Sequence, residues 1–192
     1  MKELTALLLC IIAIFVYMNF IRKSLYLSKI ESSINNKTYY VRNLPDKQEA
    51  ADRLSNLGIS LEKLISSLSE NDKKRGEGIS RLRDAFDPDH ITENIPGSFY
   101  VAYSVNKGEE LSICIREKDT NKFLDMNTIL FVSIHELAHI MTEETGHTER
   151  FWSNMRFLLE EGSKIGVYTP IDYSKNPVMY CGMEINSTPM NL

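Results

Sequence analysis

The chain opens on an unbroken apolar run, LTALLLCIIAIFVYMNFI from Leu4 to Ile21, and Arg22 and Lys23 follow it directly. At ~1.5 Å rise per residue such a helix covers ~27 Å, close to the thickness of a hydrocarbon core. Met18, Asn19, Phe20 and Ile21 offer no small-residue cleavage site, so the run predicts an uncleaved transmembrane anchor over residues 1–23 and not a signal peptide. Arg22, Lys23 and Lys29 outweigh the charges ahead of the run, which turns the rest of the chain toward the cytoplasm.

Residues 24–46 mix polar and apolar positions without period and predict a stalk, with a short strand at Tyr39-Tyr40-Val41. A single domain over residues 47–192 is expected after it. Ala50, Leu54, Leu57, Leu61, Leu64, Ile65 and Leu68 recur at helical spacing, with Gly58 expected to divide two helical pieces. Lys73, Lys74, Arg75, Arg81 and Arg83 read as a solvated face. Turn residues fill 85–97, and two alternating stretches, 98–106 and 110–117, flank Lys107-Gly108 as a β-hairpin. From Asn127 the positions Ile129, Leu130, Ile134, Leu137, Ala138 and Met141 form a helical apolar stripe. Thr148 can cap a further helix that buries Phe151, Met155, Leu158 and Leu159. The sum is an α+β class: a small core with a β-hairpin or short sheet packed on helices, plus an N-terminal transmembrane helix.

Charge narrows the range of partners. A formal net charge of −4 lacks the basic excess that phosphate neutralisation requires, so nucleic acid is not an expected partner. Cys10 lies in the apolar run, which leaves Cys114 and Cys181 in the remainder; two cysteines make no disulfide framework, so they are expected as reduced, half-buried thiols, and 67 positions apart they do not suggest a zinc cluster.

The tract His135-Glu136-Leu137-Ala138-His139 is H-E-x-x-H. Residues four apart share a helix face, so both imidazoles can reach one ion, and a catalytic zinc takes three protein ligands with the fourth position open. Glu136, one step around the helix, is placed to accept a proton from water as general base. For the third ligand, His147 follows eight positions on, after Gly146; Glu160 or Glu161 on the next helix is the alternative. Thr142 and Thr145 stand where a metzincin would carry glycine and histidine. His90, among turn residues, is expected at the surface. Of Tyr168, Tyr173 and Tyr180, Tyr173 is the candidate to stabilise a developing oxyanion.

The run Ile134–His139, then Gly146-His147-Thr148 and Phe151-Trp152, resembles the WLM and SprT-like zincin metallopeptidases, and is similar above all to WLM-like proteins of large DNA viruses, with a Tyr180-Cys181-Gly182 tail. The resemblance covers about residues 98–185. It implies a small zincin core, zinc on His135, His139 and His147, Glu136 as base, and a protein or peptide substrate. The expected function is zinc-dependent peptide hydrolysis at a membrane surface. The alternative is a membrane-anchored, non-enzymatic binding or assembly protein that zinc merely stabilises.

Overall fold

In the computed structural model the described residues are 25–98, 100–105 and 108–190, with 5, 7–11, 14 and 17 ahead of them. The elements run β1 (Leu27–Glu31), β2 (Thr38–Arg42), α1 (Lys47–Ser67), α2 (Gly76–Ala85), β3 (Ile91–Glu93), β4 (Ala102–Val105), β5 (Glu110–Ile113), α3 (Met126–Met141), α4 (Glu149–Lys164), β6 (Val178–Tyr180) and β7 (Met183–Ile185). A five-stranded sheet has the order β1-β2-β3-β5-β4, and β6 and β7 form a separate hairpin. Strand β2 is parallel to β3 and β3 to β5, while β1 and β4 add antiparallel edges. The α+β expectation holds, and so does the hairpin around Gly108.

The core lies between the sheet and the helices. Helix α1 contributes Leu54, Leu57, Leu61 and Leu64, and α3 contributes Ile129, Ile134, Leu137 and Ile140, all without exposed surface. Gly58 does not break α1. A Cβ there would stand 3.2 Å from the Pro88 carbonyl oxygen, so glycine serves close packing of the turn before β3. Beneath the sheet, fully buried Arg116 sets its Nε 2.8 Å from Glu93 and a fork of two bonds, 2.7 and 2.8 Å, on Asp46. Glu93 also accepts the Arg42 backbone amide at 2.7 Å. This ties β2, β3 and the start of α1 to the chain beyond β5.

Three expectations are corrected. The strand expected at Tyr39-Tyr40-Val41 lies within β2, but the stretch read as stalk around it also forms β1, which pairs with β2, and Tyr39 and Val41 enter the core; the alternation of β1 is visible only once a neighbouring strand supplies the second face. The apolar run Leu4–Ile21 falls for the most part outside the described residues. Among the described residues no helix is long and apolar enough to cross a membrane, so single-pass membrane placement with a cytoplasmic domain is not supported. A span needs about 20 consecutive, predominantly apolar helical residues. Finally, Cys114 and Cys181 are joined in a disulfide, with Cα atoms 6.5 Å apart; a lone pair of cysteines carries no framework pattern, and only folding brings the two together.

Candidate metal centre

Helix α3 begins at a proper cap, the Asp125 side chain accepting the Thr128 amide at 2.9 Å. Its buried face runs through Ile134, Leu137, Ala138 and Met141, which leaves His135 and His139 half-buried on the other side, one turn apart. At its end the Met141 carbonyl accepts from Arg81 at 3.0 Å. The chain then turns through Gly146, whose φ of 84° lies in the left-handed region, and α4 starts at Thr148, which caps the Phe151 amide at 3.2 Å. A buried bond of 2.9 Å from Asn154 to the Thr142 hydroxyl pins the two helices together across the loop. His147 is thereby returned to the α3 histidines.

Ligand atoms of His135, His139 and His147 lie within 4.8 Å of one another, and the Nε2 atoms of His135 and His147 are 3.1 Å apart. Phe151 packs beneath all three rings, with centroids 4.3 to 4.8 Å away, and Trp152 stacks on His147 at 5.4 Å. Burial, reinforced by His139 and His147, pulls the His135 pKa down to about 3, so its ring is neutral near pH 7. Neutral imidazole is the metal-binding form. Burial also pushes the Glu136 carboxyl up to about 7, against the opposing hydrogen bond from the Ser104 backbone amide on β4.

Glu136 and the three histidines line a cavity of about 600 Å³. Its walls are mostly apolar: Val101 and Ala102 from the β4 side, Phe131 and Val132 from α3, Met155 from α4, and Tyr180 from β6. No Lys or Arg lines it among the described residues.

Of the expected site residues, the fold brings together His135, Glu136, His139 and His147. Glu160 is exposed and Glu161 pairs with Lys164 at 2.6 Å; neither joins the cluster. His90 is exposed and sits 3.2 Å from Asp87, away from it. Tyr173 does not reach the cavity: it is fully buried, its ring 4.7 Å from that of Phe131. Of the three tyrosines weighed, the one that lines the cavity is Tyr180, whose hydroxyl donates to the Cys114 carbonyl at 2.7 Å; Tyr100 and Tyr103 line it as well, from the β4 side. Burial, then the proximity of Glu136, holds its phenol protonated by raising its pKa. The Ser104 amide carried no signal of its own in the sequence, because a backbone amide has no motif, and of the β6–β7 hairpin only the Tyr180-Cys181-Gly182 turn stood out.

An H-E-x-x-H helix joined by a third imidazole beside the edge strand of a mixed sheet defines an α+β protein with a candidate metal centre. The chain belongs to the WLM domain family, which it matches over residues 36–178. It is 35% identical over 184 residues to an uncharacterised protein of Acanthamoeba polyphaga mimivirus, covering 94% of this chain and 93% of that one. A protein of Invertebrate iridescent virus 6 is 33% identical over 69 residues, 35% of this chain and 38% of its own. Among solved structures, Wss1 from Saccharomyces cerevisiae superposes with a TM-score of 0.51 at 18% identity, over 66% of this chain and 87% of that one. That likeness is one of fold. The expected WLM membership and the kinship with proteins of large DNA viruses both hold.

Proposed function

We propose that this protein is a zinc-dependent metallopeptidase in which His135, His139 and His147 hold the metal and Glu136 is the general base. The observation that carries this reading is the convergence of three imidazoles, with a buried carboxyl beside them, on one open cavity. The donor set fits zinc: the 3.1 Å between His135 and His147 nitrogens is near the edge of a tetrahedron with Zn–N bonds of ~2.0–2.1 Å. When bound there, zinc supplies a Lewis acid that polarises a peptide carbonyl and brings the pKa of water toward ~7.

The rest falls to the chain. Glu136, buried and held by the Ser104 amide, accepts the proton of the attacking water and returns it to the leaving amine. Strand β4 is a sheet edge, so an extended peptide can pair along Ala102–Val105 and present its carbonyl beside the imidazoles. The apolar walls favour a substrate with a large apolar side chain next to the scissile bond.

Purified protein should hold one zinc per chain and lose peptide cleavage to a chelator. Glu136→Gln should keep the zinc but lower kcat by about 10²–10⁴-fold, the range for a general base. Unchanged cleavage by Glu136→Gln would remove the mechanism. A purely structural zinc calls for a fourth protein ligand, and the cluster among the described residues offers three.

A further inference from the structure

The β6–β7 hairpin supplies much of the outer wall of the cavity yet lies outside the main sheet. Tyr180, Met183, Ile185 and, beyond the hairpin, Pro189 all line the cavity. Its strands pair only with each other among the described residues. Tyr180, Val178 and Ile185 pack on the core, and three further links hold the hairpin to the body: the Cys114–Cys181 disulfide, the Tyr180 hydroxyl on the Cys114 carbonyl, and Arg156 donating to the Pro189 carbonyl. Two of the three meet at Cys114, just past β5.

The turn itself shows what Cys181 is for. Tyr180 pairs with Met183, so Cys181 and Gly182 are the two central residues, with φ of 51° and 88°. Two consecutive positive φ values mark a type I′ turn, whose first position asparagine, aspartate or glycine fills with least strain. A cysteine there carries a strain that those residues avoid, and here its sulfur is the one that bonds to Cys114. Both cysteines are half-buried, within reach of small thiols.

We propose that Cys114 and Cys181 are positioning residues for the substrate cavity: their disulfide fastens the β6–β7 wall, and its reduction loosens that wall and weakens substrate binding. The metal-holding helices are untouched, because α3 and α4 are fixed by core side chains and by the Asn154–Thr142 bond. The exchange balances with a dithiol reductant. Its two thiols lose two electrons and two protons and close to a disulfide, and the cystine gains them to become two thiols. The claim about substrate rests on the peptidase reading above; the claim about the wall does not.

The test uses the full chain carrying Cys10→Ser, so that the remaining free thiol plays no part. In oxidised protein, mass spectrometry should find Cys114 and Cys181 cross-linked. On treatment with a dithiol, amide hydrogen exchange over residues 178–190 should quicken about tenfold or more while residues 130–141 stay protected, as for a local opening. With an apolar peptide substrate, KM should rise about tenfold with kcat little changed, the pattern of lost binding rather than lost chemistry. The double variant Cys114→Ser, Cys181→Ser should match the reduced protein and ignore the dithiol. Equal exchange in both forms, or equal KM, overturns the proposal. If neither form cleaves peptide, the peptidase reading fails and the exchange comparison still decides the tether.

Discussion

Tyr173 and Tyr180 lie within one short stretch, yet the first packs on Phe131 in the core while the second faces the cavity and donates to the Cys114 carbonyl. The buried Tyr173 hydroxyl has no hydrogen-bond partner among the described residues, so Tyr173→Phe is expected to leave kcat/KM within about twofold and stability unchanged or raised by up to about 1 kcal/mol. Tyr180→Phe removes the donor to a carbonyl beside the cavity, and should cost about 1–3 kcal/mol in a denaturant titration while raising KM. A large activity loss in the Tyr173 variant alone would reverse this assignment. Sequence could not separate the two, because both are aromatic residues near prolines and the chemistry depends on which direction each ring faces. His135, Glu136 and His139 were legible for the opposite reason: helical geometry alone puts residues four apart on one face.

At the scale of elements, the end of α3 is braced by α2. A Cβ on Gly78 would lie 2.8 Å from the Met141 carbonyl oxygen and 3.0 Å from its Cγ. Helix propensity favours alanine over glycine by about 1 kcal/mol. The contact is with backbone, however, so Gly78→Ala forces the helices apart. The expected outcome is a net loss of about 1–3 kcal/mol, as for overpacking, together with weaker zinc binding, since His139 sits on the displaced turn. Chemical denaturation and zinc titration read the two effects; a stabilised variant would show that propensity prevails. Helices α3 and α4 were readable from their apolar periods and caps. Strand β3 was not, because three residues among turn signals carry no period, and their pairing partners lie far away in the chain.

Across the whole molecule, the Arg116 cluster joins the sheet to the start of α1. Glu93 is buried enough that desolvation raises its pKa despite the Arg42 amide and Arg116 beside it. Glu93→Ala leaves the Arg116 charge short of a partner in the interior and should cost about 3–5 kcal/mol. Asp46 behaves in the other direction: its hydrogen bonds with Arg116 lower its pKa below the ordinary value. A lowered carboxyl contributes stability that is present above the unfolded value, about 3.9, and is lost as pH falls through the folded one. Wild-type stability should thus fall more steeply below about pH 4 than that of Asp46→Asn. Parallel acid-unfolding curves would remove Asp46 from the balance.

What the chain determines by itself is local: the H-E-x-x-H face, the helical stripes and caps, the hairpin around Gly108, and the absence of a basic excess. Those follow from the fixed rise and turn of each element and need no distant partner. For the third imidazole, spacing and resemblance pointed to His147, and tertiary structure brought it, and neither Glu160 nor Glu161, to the pair; tertiary structure alone decided that Tyr180 and not Tyr173 lines the cavity, that Leu27–Glu31 joins the sheet, and that Cys114 and Cys181 are bonded. Each of these depends on where distant segments meet, and that is set by packing around one core, which no window of sequence contains.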